Sequence, residues 1–300
     1  FDDLWDFADP AATEQRFRDL LADPRVVALP SLGVEIETQI ARTLGLRRRF
    51  DEARAVLDAA QPRIAPASTA PAATPDIARA RVRWLLERGR THASGIHADD
   101  PAAAMALYVE AFDLARAIGE ERLAIDAAHM AAIVAADPAR QERWNLDALA
   151  LAESATDPKA RRWRGSLLNN LGMAYHDAGR YDDALHAFER LREVREAAGD
   201  PSAVFIAWWM IAWTLRFLGR HEEALAILDR LHADATARGA PDGYVCEELA
   251  ENTLAMGDER TAIAWFVQAY RFLADEPSVR ADAARLERLR AFAARGEAAT

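Results

Sequence analysis

The side chains most able to do chemistry here are seven histidines, one cysteine, and several close-set acids and arginines. A metal site needs three or four such ligands converging from fixed spacings. His92, His97, His129, His176, His186, His221 and His232 are scattered along the chain. His92 and His97 are five residues apart, which does not stack them on one helix face. His129 sits in an apolar run, Ala127-Ala128-His129-Met130-Ala131, where a core or groove imidazole with one hydrogen bond is the plain reading. His-Glu-x-x-His, P-loop, Gly-x-Ser-x-Gly and Gly-x-Gly-x-x-Gly patterns are all missing from the sequence. Cys246 is the single cysteine, which excludes an internal disulfide and a cysteine-based zinc site. Sequence places no base beside it, so it reads as a small buried hydrophobe. The acid pairs Asp182-Asp183 and Glu222-Glu223 read as first-turn charges complementing helix dipoles rather than as acid–base pairs. The cluster Lys159, Arg161, Arg162, Arg164 could anchor a carboxylate or phosphate, and its plainer reading is a solvated face. Arg47-Arg48-Arg49 sits in a turn and reads the same way. The expectation is a chain with no catalytic residues, no metal and no cofactor.

What remains is recognition chemistry, and it needs elements to present it. Apolar residues recur at three- and four-residue spacing, as in Leu168, Leu171, Gly172, Tyr175 and in Ala184, Leu185, Phe188, Leu191. Alternating apolar–polar runs and Asn-Gly hairpin turns are missing, and good helix formers dominate. The chain is therefore expected to be all-α. A net charge of −11 argues against a nucleic-acid binder, which must displace counterions from phosphates. All but one of the 37 basic residues are arginine, Lys159 being the exception. Long apolar runs of membrane-spanning length are not found. The acidic opening, Phe1 to Pro10, has no basic n-region or apolar h-region, so the cytoplasm is the expected compartment.

The helical pattern repeats. Gly179, Gly219 and Gly257 are each followed by a short polar run and then an alanine: Ala184, Ala224, Ala262. Four residues beyond each alanine stands Phe188, Leu228 or Phe266. Before each glycine sit Leu171-Gly172, Ile211-Ala212 and Leu249-Ala250. Small residues let two antiparallel helices approach, bulky ones fill the gap beside them, and the glycine makes the turn. One such pair buries too little alone, so pairs must stack.

The segment Asn169-Asn170-Leu171-Gly172-Met173-Ala174-Tyr175-His176-Asp177-Ala178-Gly179-Arg180-Tyr181-Asp182-Asp183-Ala184-Leu185 closely resembles the tetratricopeptide repeat (TPR) motif. The standard repeat is about 34 residues. Spacings of 40 and 38 between the glycines are closer to the extended repeats of kinesin light chains and bacterial sensor proteins. The resemblance implies a right-handed α-α superhelix of about six helix pairs, at 31–64, 76–118, 120–156, 158–199, 201–239 and 241–276. Residues 1–30 would hold a lone N-terminal helix from Asp9-Pro10 to Ala22, and 278–295 a polar capping helix. The whole chain, 1–300, would be one solenoid domain. Four prolines within Gln61–Pro75 mark a loop, and the turn from Gly95 to Pro101 looks lengthened. At Asp137-Pro138 aspartate should cap, and proline open, a helix.

In a TPR superhelix the first helices of successive pairs line the concave side. The resemblance therefore assigns candidate groove residues. The fourth pair offers Asn169, Asn170, Met173, His176 and Asp177. The fifth offers Trp209, Trp213, Arg216 and Phe217, with Trp208 at a packing position. The sixth offers Tyr244, Glu247 and Glu251. Trp209, Trp213 and Phe217 are four apart and share a stripe. They either wall a recognition groove or pack against neighbouring first helices, and the sequence leaves both open. The basic carboxylate clamp of chaperone-binding TPRs is lacking, because Asn169 and Trp209 stand where it needs Lys or Arg. The expected function is a non-enzymatic scaffold binding a peptide or protein segment, without nucleic acid or membrane. A sensor module controlling a partner and a self-assembling homodimer are the alternatives.

Overall fold

Six Asp-Pro steps punctuate the sequence, and each starts a helix. Proline's fixed φ suits the first turn, where its missing N–H is not needed. The preceding aspartate accepts from a first-turn N–H. In the computed structural model Asp9 accepts from Ala12 at 2.9 Å, Asp137 from Arg140 at 2.9 Å, and Asp200 from Ala203 at 3.0 Å. The expected cap at Asp137 is thus present, and Asp9, Asp23, Asp100, Asp157 and Asp200 use the same device.

The structure describes residues 2–64, 74–93 and 100–297. Most of the proline-rich loop expected over Gln61–Pro75, and Gly95 and His97 in the lengthened turn, lie outside the described residues. The chain divides into two compact units, Phe1–Leu167 and Leu168–Thr300.

The first unit opens with a single 3-10 turn, Asp2–Leu4, and holds α1 (Pro10–Leu21), α2 (Pro24–Val27), α3 (Pro30–Leu46), α4 (Phe50–Ala60), α5 (Pro75–His92), α6 (Pro101–Ala117), α7 (Glu121–Val134), α8 (Pro138–Ser154) and α9 (Pro158–Arg161). The division falls within α10 (Trp163–Asp177). The second unit continues with α11 (Tyr181–Ala198), α12 (Pro201–Phe217), α13 (His221–Ala237), α14 (Gly243–Ala255), α15 (Glu259–Leu273), α16 (Pro277–Ala281) and α17 (Ala283–Glu297). The fold is all-α, with no strand among the described residues. Consecutive helices pack in pairs, α3 on α4, α5 on α6, α7 on α8, α12 on α13 and α14 on α15. Within the first unit α3 packs on α5 and α6 on α7, and within the second α11 packs on α12 and α13 on α14.

The repeat markers are where close packing requires them. Ala184, Ala224 and Ala262 are fully buried, as are Phe188, Leu228 and Phe266. A Cβ on Gly172 would lie 2.3 Å from Cε1 of Phe188, so only glycine admits that ring. In the second pair Gly89 and Tyr108 repeat the arrangement at 2.4 Å. The turn glycines Gly179, Gly219 and Gly257 have φ of 72°, 71° and 88°. The first pair has no glycine there, and Arg48 takes the left-handed conformation at φ 62°.

The second unit ends with the short α16 and then α17. Val279, Leu289 and Ala293 are buried, the first two in one cluster with Phe266 and Cys246. Burial pushes the Cys246 thiol up to about 11, so it behaves as the small hydrophobe expected. Trp208 departs from its expected packing role. It is half-buried, with the guanidiniums of Arg192 and Arg230 over its ring at 4.6 and 5.5 Å.

Candidate functional site

The first helices of the second unit, α10, α12 and α14, carry the sequence-derived groove residues. Four-residue spacing puts Trp209, Trp213 and Phe217 on one stripe of α12, and their neighbours extend it into a ladder of rings. The imidazole of His176 stacks on Trp213 with centroids 3.4 Å apart and planes 14° off parallel. Trp213 stacks on Trp209 at 5.8 Å, and Trp209 meets the edge of Tyr244 at 6.3 Å. At the other end Phe217 stands edge-on to His176 at 4.6 Å and stacks on Tyr181 at 5.1 Å. The ladder therefore runs from α10 and α11 across α12 to α14. Trp209 and Trp213 are half-buried within it, whereas Phe217 is 42% exposed and Ile206, on the same helix, 47%. The stripe thus both packs between repeats and presents an apolar edge to solvent.

The charged candidates have partners. Arg216 grips Glu248 through two hydrogen bonds of 2.7 and 2.9 Å. Arg288 grips Glu251 at 2.8 Å twice, and Arg285 grips Glu247, both arginines reaching over from α17. Arg285 also lies 5.4 Å from the ring centre of Tyr244, whose hydroxyl is 3.0 Å from Ser278 Oγ. Burial pushes the carboxyl of Glu248 above the usual range, against the lowering effect of Arg216. Glu247 and Glu251 are each held by an arginine of α17. Asn169, Asn170 and Met173 are half-buried on α10, and Asp177 is exposed at its end.

Sequence reasoning missed Tyr181, Glu248, Arg285 and Arg288. A signal existed: Arg216–Glu248, Arg285–Glu247, Arg288–Glu251 and His176–Trp213 are separated by 32, 38, 37 and 37 residues, close to the repeat length.

His176 is the unusual polar group of the ladder. It is 7% exposed, and its Nε2 is buried with no hydrogen-bond partner among the described residues. Burial, with a smaller push from Arg216 and against the pull of Asp177, lowers its pKa to about 4. The imidazole is neutral at pH 7, as its stacking requires. Between about pH 6.5 and 4 the unfolded chain takes a proton that the folded chain refuses, so this group's effect is to lower stability as pH falls. Relative to a His176→Phe variant, the protein should lose about 2 kcal/mol between pH 7.5 and pH 5. Parallel stability–pH curves from urea unfolding of the two proteins would remove the argument.

Other candidates read from sequence have structural places. His129 is half-buried and its ring centre is 5.4 Å from that of Trp163. Asp182-Asp183 and Glu222-Glu223 lie in first turns, with Arg180 bonding Asp183 and Arg220 bonding Glu223 at 2.7 Å. Among the described residues no group of three His, Cys, Asp or Glu side chains is placed to hold a metal ion. No helix of the described residues is long and apolar enough to cross a membrane.

The comparisons with known proteins agree with this geometry. A tetratricopeptide repeat family model matches residues 163–237. None of the curated proteins matches the chain. Among solved structures, apo RapI superposes with a TM-score of 0.67 at 10% identity, covering 89% of this chain and 70% of that one. A signal-transduction ATPase with numerous domains and a tetratricopeptide repeat sensor, from Pyrococcus horikoshii, gives 0.62 at 12% identity. That match covers 91% of this chain and 39% of the ATPase. BtubC (BKLC) from P. vanneervenii gives 0.56 at 18% identity, covering 79% and 92%. At these identities the likeness is one of fold. Residues 163–237 thus carry tetratricopeptide repeats, and the chain shares the fold of tetratricopeptide-repeat proteins.

Proposed function

We propose that the chain is a non-enzymatic interaction scaffold whose second unit binds a peptide or protein segment along the ring ladder. The observation that carries this reading is the exposed apolar edge. Phe217 and Ile206 stand out on a helix where Trp209 and Trp213 stack on each other. A rigid aromatic surface with ionically saturated neighbours suits an apolar anchor from a partner, because little side-chain entropy is lost on binding. Saturation of Glu247 and Glu251 by Arg285 and Arg288 favours apolar contact over salt-bridge recognition at this face.

A sensor role is a second reading, supported by the fold shared with the repeat sensor of the Pyrococcus ATPase. Both readings place a partner on the same edge. The test is affinity capture from the source cells with the parent chain and a Phe217→Ala/Ile206→Ala variant. The variant should melt like the parent and lose the captured partner, with affinity falling roughly 30-fold or more for a hot-spot edge. Equal capture by both proteins would remove the edge from recognition. A mass that rises with concentration, and falls back in the variant, would make the face a homodimer contact instead.

A further inference from the structure

The second unit contains a cleft of about 310 Å³ on a different stripe of α12. Trp208, Ile211 and Leu215, spaced three and four residues apart, line it from α12, and Arg192 and Arg230 line it from α11 and α13. These residues stand apart from the ring ladder of Trp209, Trp213 and Phe217. The guanidinium carbons of Arg192 and Arg230 lie 4.6 and 5.5 Å from the centre of the Trp208 ring. An indole holds a guanidinium by its face and leaves its N–H edge for an acceptor. The chain itself supplies few. Arg230 is exposed, and its one hydrogen bond among the described residues runs to the Ala226 carbonyl of its own helix, at 3.2 Å. Arg192 comes only to 3.7 Å from Glu196 and 3.8 Å from Glu193, beyond hydrogen-bond length. Its Nε is buried with no hydrogen-bond partner among the described residues. The third arginine of the lining, Arg220, is held by Glu223 through two bonds of 2.7 Å. Glu189 is the remaining acid of the lining. Two guanidiniums without a carboxylate hydrogen bond therefore face one acid, in a chain of net charge −11.

Two guanidiniums that reach one ring from different helices favour an anion with oxygens in more than one plane. A carboxylate has two oxygens, and a single arginine fork fills both. A phosphate monoester has three acceptor oxygens and roughly 1.5–2 negative charges at neutral pH, so it can engage both forks at once. Ligand pockets run from about 300 to 1,000 Å³, and a cleft at the lower end of that range suits a small molecule rather than a protein segment. We propose that this cleft is a binding site for a small-molecule phosphate monoester, its phosphate held between Arg192 and Arg230 at the Trp208 indole. Ile211 and Leu215 give its carbon skeleton an apolar floor. The site also gives a use to a tryptophan that is half-buried where the repeat pattern calls for a packing residue.

Glycerol 3-phosphate is titrated into the full chain by isothermal calorimetry at constant ionic strength. Saturable binding with a Kd of about 1 mM or below is expected. Arg230→Gln removes an exposed guanidinium, so that variant should melt like the parent and bind about tenfold more weakly. Arg192→Lys keeps the charge and loses the fork, and should weaken binding about threefold or more. Glu189→Gln removes the opposing carboxylate and should tighten binding. The Phe217→Ala/Ile206→Ala variant should bind like the parent, which keeps this site distinct from the ring ladder. Equal binding by the parent and both arginine variants would overturn the proposal. So would a parent that shows no saturation by about 10 mM ligand. Malonate bound as tightly as the phosphate ester would make this a carboxylate site instead. A capped phosphoserine tripeptide bound about tenfold more tightly than glycerol 3-phosphate would replace the small molecule by a phosphorylated protein segment.

Discussion

Replacing Arg90 by leucine should lower the stability of the first unit by about 3–5 kcal/mol, because it strands two buried carboxylates. Arg90 lies on α5 with its side chain 17% exposed, facing Asp126 on α7 and Glu87 on its own helix. Glu87 is 5% exposed. Burial opposes ionisation of Asp126, but the charges of Arg90 and Arg42 outweigh it and hold the carboxyl below the usual range. Without Arg90 that balance reverses. The buried hydroxyl of Tyr108, which has no hydrogen-bond partner among the described residues, offers no replacement cation. The sign with pH follows. A depressed carboxyl stabilises the parent above its unfolded pKa and loses that contribution as pH falls, so parent and variant should converge toward pH 4. Urea midpoints for both proteins at pH 7.5 and 4.5 provide the check. A loss below about 1 kcal/mol at pH 7.5 would mean that water reaches the carboxylates and the cluster is a surface network. Replacing Arg90, Asp126 and Glu87 together by apolar residues should recover much of the loss, since removing every member leaves no orphaned charge.

The second large effect is at the helix–helix contact of the fourth pair. Phe188→Ala should cost about 3–5 kcal/mol, the usual range for removing a fully buried ring. Gly172→Ala alone should cost about 1–3 kcal/mol, because its Cβ would stand 2.3 Å from Cε1 of that ring and the ring is enclosed. In the Phe188→Ala background the same Gly172→Ala change should become neutral or stabilising. The obstructing ring is gone, and alanine is favoured over glycine in a helix interior by about 1 kcal/mol. This change of sign distinguishes a steric contact from a general intolerance at position 172. Additive losses in a thermal double-mutant cycle would show that the two residues do not meet as described.

Both predictions rest on contacts of different legibility. Gly172, Ala184 and Phe188 could be read from sequence because close approach of two helices restricts residue type at each position, and the restriction recurs with the repeat. The cap at Asp137 was readable for a similar local reason, since an N-cap carboxylate and the backbone N–H it accepts from lie three residues apart. The pairing of Arg90 with Asp126, or of Arg216 with Glu248, was not. Exposed arginines and acids are abundant, and which ones meet depends on the register of successive helix pairs. Proximity of those separations to the repeat length becomes informative only after the pairs are placed. Trp213 was legible as a member of a stripe, but its stacking on His176 was not. Periodicity says which residues share a face and leaves open what the neighbouring helix sets against it. The cleft at Trp208 was visible only as the tryptophan, because Arg192 and Arg230 come from two other helices.

Arginine's near-monopoly of positive charge has a practical side. Lys159 holds the sole side-chain amine of the chain, and it is exposed at a first-unit cleft that Arg42, Arg83, Arg122 and Arg162 also line. Guanidinium groups stay protonated and do not acylate under conditions where a lysine amine does. Acetylation, ubiquitin attachment or an amine-directed crosslinker therefore has one side-chain address on this protein, and that address borders the cleft. Any such modification would cancel one of the five cations while leaving the arginines untouched.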